Sequence, residues 1–191
     1  MTSTPRTGMR LELLGRWGLF ANESEAPILP AGKPLAALSY LGCSDRHAAS
    51  RSTLISLLWA DQEPEAARHS FRQTLWYVKR KAGEQLITAD GDSLRLSDSI
   101  VVDRDELLAA SKAGDHARVV QLYEGPFIPA FAAPGGAGFE EWAALERRRL
   151  LEVFRHSAER TIADHIGRGR AADAISLARR LRDQDNYNEG G

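Results

Sequence analysis

Seventeen residues, Ala67 to Gly83, carry the side chains best suited to chemistry in this 191-residue chain. The stretch reads ARHSFRQTLWYVKRKAG and holds Arg68, Arg72, Lys79, Arg80 and Lys81 with no acid, in a chain of formal net charge -1. Guanidinium, imidazole and carboxamide groups can hydrogen-bond to base edges, and long cations can reach phosphate oxygens. With Phe71 at the origin of a helical wheel, Ala67, Thr74, Leu75, Val78 and Ala82 fall within about 60° of it. His69, Gln73, Trp76 and Arg80 fall on the opposite side, flanked by Arg72 and Tyr77, with Arg68, Lys79 and Lys81 at the borders. A solvated surface helix usually mixes signs, because alternating Glu and Lys stabilise it. This one has no acid between Glu65 and Glu84.

Other reactive residues do not assemble into a site. His47, His69, His116, His156 and His165 are scattered, without the spacing of a metal motif. Cys43 lies in an apolar helical pattern and reads as a small packed residue rather than a nucleophile. Asp90 and Asp92 flank a glycine in a tight turn and read as turn formers, because further ligands are missing. There is no GxSxG, phosphate loop or dinucleotide fingerprint. The GGAG beginning at Gly135 lacks the strand and helix that would make it a phosphate cradle. The chain is therefore not expected to be an enzyme, and no cofactor or metal is expected.

The length permits one large or two small domains, and 43% hydrophobic with 27% charged residues is a globular composition. A near-neutral balance means that any nucleic-acid binding must come from a local patch. One cysteine excludes an internal disulfide and fits a reducing compartment. Glu12 and Arg16 spoil LELLGRWGLF as a signal-peptide core, and no run approaches the ~20 apolar residues of a membrane span. A cytoplasmic protein without membrane contact is expected.

The elements that position the basic stretch are legible from breakers and periodicity. Short strands are expected at about Arg10–Leu14 and Trp17–Phe20, with PILP as a third, edge strand. Helices follow: one from Pro34, one capped by Ser50 with Leu54, Leu57, Leu58 and Trp59 facing inward, and one from Pro64 to Ala82 stopped by Gly83. Leu86–Thr88 and Leu94–Leu96 around Asp90-Gly91-Asp92 read as a hairpin, with Ile100–Val102 as a further strand. From Asp103 the texture is helical. DRDE reads as a capping box, with Asp103 as cap and Glu106 three residues on. A long helix is expected over Phe139–Ile166, and a last one with Ala171, Ile175, Ala178 and Leu181 on one face.

Short strands, three helices and a hairpin, in that order, are the layout of a winged helix-turn-helix, in which the last helix enters the major groove and the hairpin lies alongside. The expected fold class is mainly α with small β-sheets: a winged helix-turn-helix domain over residues 1–102, then an all-α tetratricopeptide-like helical domain over residues 103–191. Arg95 is the one long cation of the hairpin; insertion near a minor groove or a phosphate, and a lone surface arginine, are both open readings.

LELLGRWGLF, SRSTLISLLW, ARHSFRQTLWYVKRKAG, LITADGDSLRLS, VDRDELLAA, LYEGPFIPAF and FEEWAALERRRL, in this order, resemble a family of bacterial transcriptional regulators. These join an OmpR-type winged helix to a bacterial transcriptional activation domain, as in the Streptomyces antibiotic regulatory proteins. The resemblance spans nearly the whole chain. It implies sequence-specific binding to double-stranded promoter DNA at direct repeats, pairing of monomers on those repeats, contact with RNA polymerase and activation of transcription. By position it assigns Arg72, Gln73 and Arg80 to the groove and Arg95 to the wing; Arg68, His69, Trp76, Lys79 and Lys81 complete the expected DNA-binding set. Of these, Arg72 and Gln73 are expected to read bases, and Arg68, Lys79, Arg80 and Lys81 mainly to contact phosphate. Trp76 departs from the small or polar residue common in the family. Stacking on sugar, covering a neighbouring helix and meeting a second subunit are its open roles. The chain ends at DQDNYNEGG where the family's helical domain continues, so this domain is expected to be incomplete. The rival reading is a winged-helix adaptor that does not bind DNA and acts through protein contacts. The exposed aromatics, and the 15 acids against 13 bases of residues 101–191, would suit it.

Overall fold

The computed structural model describes residues 8–21, 24–129 and 136–189. The fold is mainly helical with two small sheets. Strand β1 (Met9–Glu12) pairs antiparallel with β2 (Gly18–Ala21), in the register Met9 opposite Ala21. Helix α1 (Lys33–Cys43) carries Pro34 in its first turn, where a missing N–H costs nothing. A 3-10 turn (Asp45–His47) leads into β3 (Ala48–Ser50) and α2 (Arg51–Leu58). Ser50 caps α2, its Oγ accepting the Thr53 N–H at 2.9 Å. Helix α3 (Pro64–Ala82) follows, then β4 (Ile87–Asp90), β5 (Ser93–Leu96) and β6 (Ile100–Val102).

The first sheet runs β2-β1-β6, with β6 parallel to β1; the second runs β3-β5-β4, all antiparallel. The expected PILP strand is reduced to a single bridge between Pro27 and Phe20. Strand β3 was not foreseen: Ala48-Ala49-Ser50 has little strand propensity, and pairing with the open edge of β5 is what extends it. Gly42 lets α1 lie close on the first sheet. A Cβ there would stand 2.8 Å from a Leu11 methyl and 3.4 Å from a Val102 methyl.

The second half is α4 (Asp103–Lys112), α5 (His116–Leu122), α6 (Ala137–Gly167) and α7 (Ala171–Glu189), each packed on its predecessor. Asp103 corrects the capping-box expectation. Its Oδ2 accepts the N–H groups of Leu13 and Leu14, at 2.8 and 2.9 Å, so its carboxyl ties α4 to the end of β1. The last helix also differs from expectation. Ala174 and Leu177 are its buried residues, with Leu181 half-buried, whereas Ala171, Ile175 and Ala178 are exposed.

Buried residues from both halves form one contiguous core. The seam is aromatic: Trp142 of α6 lies 5.1 Å from Tyr40 of α1, 5.7 Å from Phe127 and 5.2 Å from Phe139, which in turn stacks on Trp17. Arg147 fixes the loop beneath it by donating to the carbonyls of Phe127 and Ile128. No helix among the described residues is long and apolar enough to cross a membrane. Of the loop beginning at Glu124, residues 130–135, including Gly135 of the glycine-rich segment, lie outside the described residues.

Candidate nucleic-acid interface

Helix α3 buries one stripe and presents the other. Ala67, Phe71, Thr74, Leu75, Val78 and Ala82 are buried, the side that the apolar periodicity marks out. Phe71 meets Trp59, just past the end of α2, edge to face at 5.9 Å, which fixes the rotation of α3 about its axis. Ser70 adds a polar tie, its hydroxyl donating to the Gln62 carboxamide at 3.1 Å. With the buried stripe held, Arg68, His69, Arg72, Gln73, Trp76, Arg80 and Lys81 are all exposed, and Lys79 is half-buried.

The outer face is ordered by contacts between its own side chains. Arg72, Trp76 and Arg80 follow one another at intervals of four, a stripe about 12 Å long at 1.5 Å per residue. Trp76 is 60% exposed. The Arg80 guanidinium stacks over its indole, 5.2 Å from the ring centroid. Lys81 lies near the Tyr77 ring, at 5.9 Å. Two cations are partly neutralised: Arg68 pairs with Glu65 at 3.3 Å and Lys79 with Glu84 at 3.5 Å.

Some of this charge has a local cause. Lys79, Arg80 and Lys81 occupy the last turn of α3, where cations complement the helix dipole, and Glu65 complements the first turn. The dipole does not explain Arg72, Gln73, His69 or an outward tryptophan in mid-helix. These four mark the site more sharply than the number of cations does.

Beside the β4–β5 hairpin the structure adds one group that the sequence reading passed over. Arg51 opens α2, donating its N–H to the Asp92 carbonyl at 2.8 Å and its Nε–H to the Gly91 carbonyl at 3.3 Å. It therefore ties the first turn of α2 to the tip of the β4–β5 hairpin. Gly91 takes φ +57, which a two-residue hairpin turn requires. The signal for Arg51 was its place directly after the Ser50 cap.

Arg95 sits apart from the α3 set. It lies on β5 opposite Ala48 and Thr88, pairs with Asp98 at 3.0 Å, and lines a concavity with Arg46, His47, Arg104 and Asp105. His47 bonds Asp105 at 2.7 Å there, joining the 3-10 turn to α4. Desolvation pushes the half-buried Cys43 thiol above its ordinary range. A scan against protein-family models finds no match to this chain, and a search of curated proteins finds none either.

Proposed function

We propose that this protein is a sequence-specific DNA-binding transcriptional regulator. In this reading residues 1–102 form a winged helix-turn-helix with α3 as the recognition helix and the β4–β5 hairpin as the wing. Residues 103–191 form a helical, tetratricopeptide-like activation domain. The observation that carries the reading is the outer face of α3, where Arg72, Gln73, His69, Trp76 and Arg80 are exposed together without an intervening acid. A helix fits the major groove, and these side-chain types match the donor and acceptor patterns of guanine and adenine there. The order α1, β3, α2, α3, β4, β5, with β3 added to the hairpin, supports the winged arrangement. The resemblance to the Streptomyces antibiotic regulatory proteins extends the proposal: promoter repeats as target, monomers paired on them, RNA polymerase as partner, and activation in the cytoplasm.

Arg72 and Gln73 read bases; Arg68, Lys81 and Arg51 contact phosphates, with Lys79 joining them when it leaves Glu84. Selection from random duplexes, followed by titration at several salt concentrations, tests this. The expected result is an enriched motif whose affinity falls steeply with salt, and a loss of about tenfold or more when Arg72 and Arg80 are changed to alanine. No enrichment, with the double variant behaving like wild type, refutes DNA binding and leaves the adaptor reading.

A further inference from the structure

The position that fits least well with a plain basic helix is Trp76. An indole that is 60% exposed in mid-helix loses apolar burial, and burial is the usual reason for a tryptophan. Among the described residues its ring meets the Arg80 guanidinium, one turn further along the same face. The stacked guanidinium uses one side of the ring and leaves the remaining surface facing outward.

We infer that Trp76 and Arg80 act as one specificity-determining unit that recognises a thymine and a nearby guanine. The inference rests on the DNA-binding reading above and assigns the bases that this part of α3 selects. An outward apolar surface has one apolar feature to meet in the major groove, the C5-methyl of thymine. Arginine pairs with guanine O6 and N7 through two N–H donors in a fixed fork. Stacking holds that fork beside the indole instead of leaving it to sample many rotamers, so less entropy is lost when it engages a base. The separation of 5.2 Å between guanidinium and ring centroid exceeds one base-pair rise of about 3.4 Å and falls short of two. The thymine and the guanine therefore lie within two steps of each other.

The partner is committed by charge. The face around Trp76 carries Arg72 and Arg80, with Lys79 at its border, and no acid, which suits a polyanion and not a second copy of the same face. Within that groove, methyl contact by Trp76 would be a property of this chain's own residue.

The test compares wild type with the Trp76→Ala, Trp76→Phe and Arg80→Ala variants, first by selection from random duplexes and then on the selected site. Uracil is placed for thymine at each position in turn, which removes one methyl and nothing else. In wild type, one such replacement weakens binding about fourfold, the value of one buried methyl group. In Trp76→Ala the same replacement has no effect, and the preference for the neighbouring guanine relaxes. Trp76→Phe keeps part of the methyl effect, and Arg80→Ala loses the guanine preference while retaining the methyl effect. Because Trp76 and Arg80 are both exposed, all variants should remain folded, with unfolding temperatures within a few degrees of wild type, roughly the effect of an exposed substitution. Wild type that selects a site, with Trp76→Ala showing the same site and the same uracil penalty, overturns the inference while the DNA-binding reading stands. Wild type that selects no site refutes that reading itself, and this inference with it.

Discussion

Replacing Trp142 by alanine tests whether the two halves of the chain unfold as one. Trp142 projects from α6 into three rings, Tyr40 of α1, Phe127 and Phe139, at centroid distances of 5.1, 5.7 and 5.2 Å. Each aromatic pair contributes about 0.5–1.5 kcal/mol beyond its burial, and truncating a packed tryptophan to alanine costs about 3–5 kcal/mol in all. Trp142 is half-buried, so the lower part of that range applies. For a chain of this length each kcal/mol lowers the midpoint by about 2–4 °C, giving a fall of roughly 6–15 °C. Calorimetry should show one transition in wild type and one, at lower temperature, in the variant, because the buried residues of both halves form a single core. Trp142→Phe keeps a ring in place and should lose less than half as much. Two resolved transitions, with only the second displaced in Trp142→Ala, would refute the shared core. A loss below about 1 kcal/mol would refute the role of the seam, since truncation of a packed tryptophan is expected to cost about three times that.

Two further outcomes follow from single residues. Gly42→Val should destabilise the protein by about 2 kcal/mol or more in urea titrations, because even one Cβ at that position meets a Leu11 methyl at 2.8 Å inside a filled core. Burial pushes the Asp103 carboxyl up to about 7, with the N–H groups of Leu13, Leu14 and Arg104 pulling it down. A raised carboxyl contributes stability that is fully present below its ordinary value of 3.8 and is lost as pH rises through about 7. Stability should therefore fall between about pH 4 and 7 and level off above that, and fall less in Asp103→Asn, which has no proton to exchange there.

What could be read from the sequence is what local periodicity encodes. The buried and exposed stripes of α3 followed from apolar residues recurring at helical spacing, because a 19-residue helix repeats its pattern five times. Asp103 was misread because the N–H donors it accepts from lie 90 and 89 residues away, on Leu13 and Leu14, while its local spacing to Glu106 imitates a capping box. Helix α7 offers two shallow apolar stripes, and sequence alone could not choose between them. The choice is made by Arg180, which donates to the carbonyls of Val120 and Tyr123 and lays its guanidinium 5.2 Å over Phe154. That turns Ala174 and Leu177 inward and Ile175 outward. The candidate site was legible as a set of residues, but not the pairing of Arg80 with Trp76 or the place of Arg51, because both depend on side-chain and hairpin geometry.

The hairpin constrains how the proposed interface can work. Its tip carries Asp90 and Asp92, both exposed, and a carboxylate brought near a phosphate is repelled. Its cation, Arg95, is engaged with Asp98 at 3.0 Å and faces a concavity shared with the 3-10 turn and α4. The nearest basic group at the tip is Arg51, supplied by α2 and tied to the hairpin through the carbonyls of Gly91 and Asp92. On the proposed reading the backbone contact beside the groove therefore passes from the hairpin to the first turn of α2, and the hairpin serves to hold that turn in place. Arg51→Ala should then weaken binding to all duplexes about equally and lower the salt dependence by roughly one phosphate contact, as read from the slope of log affinity against log salt. Arg95→Ala should leave that slope unchanged. If Arg95→Ala lowers the slope and Arg51→Ala does not, the hairpin meets the DNA itself, and the assignment to α2 is wrong.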